Sequence, residues 1–310
     1  LDMPLVGREA DLEWLRQTQG DRLLVGQPGS GKTFLLHKLV QEGEALFVIS
    51  IDRGEIADSL RAEQPSILIV DDAHTQIELL RDLRQIREDL GAEFSIIATC
   101  WTGERDTVAQ ILNLPASQIR QLDLLTRDEI VQVIHGAGIQ GPERLIYELV
   151  NQSEGRPGLA VTLSLLCLQG DVRRVALGDV LSNSLLSFFQ PIIGSQASDI
   201  LAVLSLGGDT GMTLESVANA LGLPLPNVRN AVVQLAAGGV LLDLGNQHLS
   251  VRPPVLRYAL VRDVFFRGAS SYSIEPVLNN YVPNLEKAAL VIIGAKARGA
   301  QVSPVFLRSL

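Results

Sequence analysis

The chain has 310 residues, 46% of them apolar and 20% charged, which allows real cores in two or three domains and excludes a disordered chain. Lys+Arg 26 against Asp+Glu 35 gives a formal charge of −9, which argues against a broad phosphate-binding surface and nonspecific nucleic-acid binding while leaving a local basic patch open. Two cysteines, Cys100 and Cys167, make neither a disulfide framework nor a metal pair; no apolar run is long enough to span a membrane and no signal peptide opens the chain, so a cytoplasmic protein is expected.

The first residue, Leu1, suggests a segment of a longer protein. Pro4 to Glu9 leads into an amphipathic helix with apolar positions Leu12, Trp14 and Leu15. Arg22 to Val25 then reads as a short strand. The stretch Gly26-Gln27-Pro28-Gly29-Ser30-Gly31-Lys32-Thr33 fits G-x-x-x-x-G-K-[ST] at every fixed position, and Thr33 to Val40 follows with Phe34, Leu35, Leu36 and Leu39 at helical spacing. Strand, glycine loop and helix start are the order a triphosphate cradle needs. The glycines turn backbone N–H groups inward, Lys32 supplies charge to the β- and γ-phosphates, and the Thr33 hydroxyl ligates Mg²⁺.

Ala45 to Ile51 reads as a buried strand and Ile56 to Glu63 as a short helix ended by Pro65. Ser66 to Asp72 is an apolar strand that delivers two carboxylates at its C-terminal end, where ligands bind in open parallel sheets. Asp71 is assigned to Mg²⁺ and Asp72 to orienting the attacking water, which with Lys32 makes the catalytic set; adjacent acids also begin ordinary turns. Phe94 to Thr99 is the next strand, ending in a hydroxyl that either senses the γ-phosphate or caps the following turn. Ile119 to Leu124 completes the sheet. Residues 1–125 are therefore read as an α/β P-loop NTPase core with a parallel five-stranded sheet, and the lack of an Asn-Lys-x-Asp motif favours adenine over guanine.

From Thr126 the pattern turns helical: Thr126-Arg127-Asp128-Glu129 opens a helix, Glu143 to Gln152 is a second, and Glu154 to Ala160 leads into a third, giving a small lid domain over 126–194. Ala197 to Leu206, a helix capped by Thr213 and ending at Gly222, and Pro226 to Ala237 precede strands Val240 to Leu244 and His248 to Val251 joined at Gly245-Asn246. Three helices and a hairpin make a winged helix over 195–268. Its third helix offers Arg229 as its only cation, so DNA reading is open but not favoured. Residues 269–310 look like the start of a C-terminal helical region.

Val6-Gly7-Arg8-Glu9, the phosphate loop, Asp71-Asp72-Ala73-His74, the Gly155-Arg156-Pro157 turn and the winged helix, in that order, resemble the STAND class of signal-transduction ATPases. The resemblance implies an ATP/ADP switch with Mg²⁺, slow hydrolysis and self-association on activation. It also implies an unknown ligand sensed by further C-terminal domains and a signalling role, with antiviral defence preferred and transcriptional control next. By the same resemblance Leu5, Val6 and Arg8 border the adenine, and Pro157 packs on the base. Gly26, Pro28, Gly29, Ser30, Gly31, Lys32, Thr33 and Phe34 surround the phosphates. Pro157 is also what a helix-starting turn before Leu159 requires. Two positions depart from the pattern: Trp101 stands where many members carry arginine, and Pro253 stands where many carry a phosphate-reaching histidine, with His248 nearby. An AAA+ initiator or DNA-remodelling ATPase shares the same loop, lid and winged helix and is the alternative.

Overall fold

The computed structural model describes residues 3–43, 45–179, 183, 187, 194, 196–245, 247–267 and 273–309. The chain divides into two compact units, Leu1–Val133 with Gly155–Gly158, and Ile134–Glu154 with Leu159–Leu310.

In the first unit the elements alternate: α1 (Glu9–Gln17), β1 (Arg22–Val25), α2 (Lys32–Gln41), β2 (Ala45–Phe47), α3 (Arg53–Glu63), β3 (Ile67–Val70), α4 (Ile77–Leu90), β4 (Ser95–Cys100), α5 (Arg105–Leu112) and β5 (Ile119–Gln121). The five strands form one sheet in the order β2-β3-β4-β1-β5, every pair parallel. This is the α/β P-loop NTPase core. A parallel strand covered on both faces reads as a continuous apolar run, and its side chains still alternate between faces. Leu23, Val25, Leu68, Val70, Ile96 and Ala98 therefore meet α3, α4 and α5 through Ile56, Leu60, Leu80, Leu83 and Val108. Leu24, Ile69 and Ile97 point the other way, onto Leu12 and Leu15 of α1 and Leu35, Leu36 and Leu39 of α2. Asp21 pins the bottom of the sheet, accepting Arg87 Nη1 and Nη2 at 2.7 and 2.8 Å and the Ile96 amide at 2.8 Å.

The strand expected over Ala45 to Ile51 ends at Phe47; β2 is the sheet edge, and among the described residues its only strand neighbour is β3. Ile49 and Ile51 are 94% and 79% exposed. The helix expected from Ile56 begins three residues earlier, at Arg53, where the Asp52 carboxylate caps it by accepting the Glu55 amide at 3.0 Å.

Helix α6 (Arg127–Gly136) starts in the first unit, with Thr126 and Glu129 closing a reciprocal cap: the Thr126 amide donates to Glu129 Oε2 at 2.7 Å and the Glu129 amide to Thr126 Oγ1 at 3.4 Å. The second unit continues with α7 (Glu143–Ser153), α8 (Pro157–Leu168, entered from the first unit) and α9 (Val172–Leu177). Gln152 Nε2 of α7 donates to the Val175 carbonyl of α9 at 2.9 Å. Next come α10 (Gln196–Leu206), α11 (Leu214–Leu221, capped by Thr213), α12 (Leu225–Ala237) and the antiparallel pair β6 (Leu241–Asp243) and β7 (Leu249–Val251). Met212 adds a one-residue bridge to Leu249, so the hairpin carries the short third strand of a winged helix. Ser195 and Asn246, the predicted start of this region and one of its turn residues, lie outside the described residues.

After the wing come α13 (Pro254–Val261), α14 (Ile274–Tyr281), α15 (Leu285–Ala297) and α16 (Pro304–Ser309). Helices α13 and α15 meet where a Cβ on Gly294 would stand 2.5 Å from Tyr258 Cδ1. Gly294→Ala sets two effects against each other, since alanine favours an isolated helix by about 1 kcal/mol while overpacking costs about 1–3 kcal/mol. Packing wins here because the obstacle is a ring already under the Arg298 guanidinium, 4.6 Å from its centroid. The variant should melt below the wild type in denaturant or heat; a higher midpoint would contradict the packing.

Candidate active site

The site lies at the C-terminal ends of β1, β3 and β4. Strand β1 runs into the phosphate loop, whose Gly26 amide donates to the Cys100 carbonyl at 3.1 Å and so keeps the loop entry in register with β4. Gly31 takes a left-handed conformation, φ 99°, at the start of α2. Lys32 is only 6% exposed, and its ammonium donates back to the carbonyls of Gly26 at 2.9 Å and Gln27 at 3.3 Å. Burial lowers the Lys32 pKa, partly opposed by the charges of Asp72 and Asp71.

Arg8 turns out to be buried, 5% exposed, beneath the loop. Its Nη2 donates to the Ser30 carbonyl at 3.1 Å and the Asp123 carbonyl at 2.5 Å, and its Nη1 faces Asp11 at 3.4 Å. Its guanidinium thus holds the phosphate loop from within. Val6 is half-buried, and Leu5 packs on the α1–α2 side of the core. Phe34 is half-buried in the first turn of α2, with the Lys38 ammonium 5.5 Å from its ring centroid; Pro28 is buried.

The turn Gly155-Arg156-Pro157-Gly158 closes on the loop from far along the chain. The Gly158 amide donates to the Gly29 carbonyl at 2.9 Å, and Arg156 Nη2 donates to Gln27 Oε1 at 3.0 Å. Pro157 Cγ is 3.4 Å from where a Cβ on Gly31 would lie. The carbonyls of Gly26, Gln27, Gly29 and Ser30 are therefore all engaged, by Lys32, by Arg8 or by the Gly158 amide. What the loop has left to offer a ligand is mainly donor capacity, the property of a phosphate cradle.

Asp71 and Asp72 leave the end of β3. Asp71 Oδ2 accepts the Thr33 hydroxyl at 2.6 Å, and Oδ1 accepts the Thr99 hydroxyl at 2.5 Å and the Asp72 amide at 3.1 Å. Because β4 lies between β1 and β3, Thr99 sits between the loop and the acid pair, and it also accepts the Asp72 amide at 2.8 Å. Burial raises the Asp72 pKa, with Lys32 opposing and Asp71 reinforcing. The oxygens of Thr33 and Asp71 are hard donors suited to Mg²⁺. Among the described residues no group of three or more His, Cys, Asp or Glu could hold a metal ion by itself, so phosphate oxygens and water would complete the shell. That is the usual Mg²⁺ arrangement in phosphoryl transfer.

Sequence reasoning named Lys32, Thr33, Asp71 and Asp72, which the structure brings together. It quoted the Gly155-Arg156-Pro157 turn for the resemblance but gave Arg156 and Gly158 no role, because their partners lie 129 residues earlier. It also gave no role to His74, whose ring packs on Trp101 with centroids 4.6 Å apart.

No family model matches the sequence, and no curated protein matches it. Among solved structures, a variant of RuvB from Thermotoga maritima is similar at TM-score 0.46 and 18% identity, covering 79% of this chain and 92% of that one. Cdc6p from Pyrobaculum aerophilum is similar at TM-score 0.43 and 16% identity over 83% and 93% of the two chains. The ORC1 protein of Aeropyrum pernix, solved in complex with DNA, is similar at TM-score 0.43 and 13% identity over 84% and 93%. The fold assignment rests on this chain's own sheet order and site.

Two outcomes test the geometry. A Cβ on Gly158 would stand 3.1 Å from the Gly29 carbonyl, so Gly158→Ala should push the turn off the loop and weaken nucleotide binding about 10-fold, read by titration with a fluorescent ATP analogue. For Asp72 the folded-state pKa is raised above its unfolded value, so ionisation opposes folding above the folded pKa and has no effect below the unfolded one. Asp72→Asn should therefore raise the melting midpoint of nucleotide-free protein at about pH 7 and leave it unchanged at about pH 3. A lower midpoint at neutral pH would contradict the burial argument.

Proposed function

We propose that the chain is an ATP-hydrolysing module of the AAA+ type, associated with DNA or a DNA-bound partner, with domains at 1–125, 126–194, 195–268 and 269–310. The observation that carries the ATP-hydrolysing part of this reading is the Asp71 carboxylate, which receives the Thr33 hydroxyl of the phosphate loop and the Thr99 hydroxyl of β4; the departures at Trp101 and Pro253 set the AAA+ type above a signalling switch. Thr33 and Asp71 would hold Mg²⁺, which supplies charge neutralisation to the β- and γ-phosphates when bound. Lys32 and the loop amides hold the phosphates, and Pro157 with Val6 flanks the base. Asp72 orients the attacking water, and its raised pKa makes it a stronger proton acceptor than an exposed aspartate. Self-association accompanies the ATP-bound state in this reading. The charge of −9 and the lone Arg229 on α12 confine any DNA contact to a local patch.

A STAND-type signalling switch, in defence or transcriptional control, is the second reading. It is favoured by the Gly158 amide bonded to Gly29, a turn seated directly on the phosphate loop. Trp101 and Pro253, at the positions where that pattern carries arginine and histidine, weigh on the other side. In this reading the ligand sensed lies with further C-terminal domains. Nucleotide released on denaturing the purified protein separates the two, since near-stoichiometric ADP fits a closed switch and an empty, freely exchanging site fits the AAA+ module.

Lys32→Ala should abolish ATP binding. Asp71→Ala and Asp72→Ala should retain binding and lower steady-state phosphate release about 100-fold. Unchanged turnover in both aspartate variants would contradict the assigned roles. A filter-binding assay should show duplex DNA affinity falling steeply between two salt concentrations; no binding at low salt would remove the DNA association.

A further inference from the structure

Helix α15 (Leu285–Ala297) is apolar on both of its sides, with Glu286, Lys287 and Lys296 as its only charged residues. One side buries Ala288, Val291, Ile292 and Ala295, where the helix packs on α10 and α13. Lys287 stands beside that face and is committed to Asp209, 3.0 Å from its ammonium. The opposite side is open. Leu285, Leu290 and Ile293 are 42%, 55% and 53% exposed, with Ala289 half-buried and Ala297 exposed on the same stripe. A surface helix ordinarily turns a polar face to water, and one that is apolar all round belongs in a covered position.

The stripe is complementary to itself run in reverse. When two copies of α15 lie antiparallel about a two-fold axis level with Val291, residues equally far before and after Val291 face each other. Ala289 then meets Ile293, Glu286 meets Lys296 and Leu285 meets Ala297, so each pairing sets small against large or acid against base. Leu290 lies beside its own copy at the axis. With a rise of about 1.5 Å per residue, the charged pairs stand about 7.5 Å on either side of the axis and bracket the apolar centre. A parallel alignment would instead oppose Glu286 to Glu286 and Lys296 to Lys296, and like charges face to face are unfavourable.

We propose that this face of α15 is a self-association surface, on which a second copy of the chain seats its own α15 antiparallel about a two-fold axis. The apolar centre supplies the attraction, and the Glu286–Lys296 pairs set direction and register. One short helix from each copy buries less than the roughly 1,200 Å² of a standard interface, so the dimer is weak and forms as concentration rises. It needs no nucleotide, which separates it from the self-association that accompanies ATP in the proposed function.

The test is sedimentation velocity of the full chain, free of nucleotide, between about 1 and 200 µM, where mass action drives a weak dimer. The wild type should move from the mass of one chain toward that of two. Ile293→Glu should stay monomeric throughout, with a melting midpoint near wild type because the side chain is half exposed. Glu286→Lys and Lys296→Glu should each weaken association about 10-fold, and the double variant Glu286→Lys with Lys296→Glu should recover it, since the pair is then restored in reverse. The two single variants shift the net charge in opposite directions, so a general charge effect cannot weaken both. A wild type that remains monomeric over the whole range, a dimer that forms only with ATP, or a double variant no better than the single ones would overturn the proposal.

Discussion

The Asp71 carboxylate is the point on which the site depends. It joins the end of β3 to the first turn of α2 through Thr33 and to the end of β4 through Thr99, so three elements meet at one side chain. None of this works without the strand order, since β4 must lie between β1 and β3 for the Thr99 hydroxyl to reach the acid pair. The apolar alternation along β1, β3 and β4 holds that order, each strand locked to helices on both faces. A carboxylate presented this way, next to the loop threonine, is positioned before any ligand arrives, which is the kind of preorganisation phosphoryl transfer relies on.

Buried cations perform the complementary task. Arg8, Arg22, Lys32 and Arg156 are between 2% and 6% exposed, and backbone carbonyls are prominent among their partners. Arg22 holds the Leu15 and Thr18 carbonyls at the end of α1, Arg8 holds Ser30, and Lys32 holds Gly26 and Gln27. Burying a charge is expensive unless it is well bonded, so these residues define the loop's shape as firmly as its glycines do. With its acceptors engaged from within, the loop favours anions. Lys32 bonds the loop carbonyls in this structure, and in the proposed function it exchanges them for phosphate oxygens when nucleotide binds.

Much of the fold was legible in the sequence because its signals are local. The phosphate-loop pattern, the apolar run ending in Asp71-Asp72 and the Thr126–Glu129 cap are each set by neighbours within a few residues, and all fall where expected. The winged helix was readable from three helical segments and a Gly-containing turn. What was not readable depends on tertiary position. Ile49 and Ile51 extend an apolar run, yet they lie past the end of the edge strand and are largely exposed among the described residues. The resemblance put Arg8 beside the adenine, and only the fold shows its guanidinium bonded to the Ser30 carbonyl of the loop. The Gly155-Arg156-Pro157 turn was recognisable, but the contacts of Arg156 and Gly158 are with a loop more than a hundred residues away. His74 was visible as part of Asp-Asp-Ala-His, but its packing on Trp101 is a property of the folded site.

The most direct test of the account is calorimetric titration of the purified chain with ATP, once with Mg²⁺ and once with the metal chelated. The account predicts one saturable site per chain, tightened by Mg²⁺ because Thr33 and Asp71 complete the ion's shell together with the phosphates. Absence of saturable binding under both conditions, or binding that ignores Mg²⁺, would contradict the assignment of the loop and the acid pair to one nucleotide site.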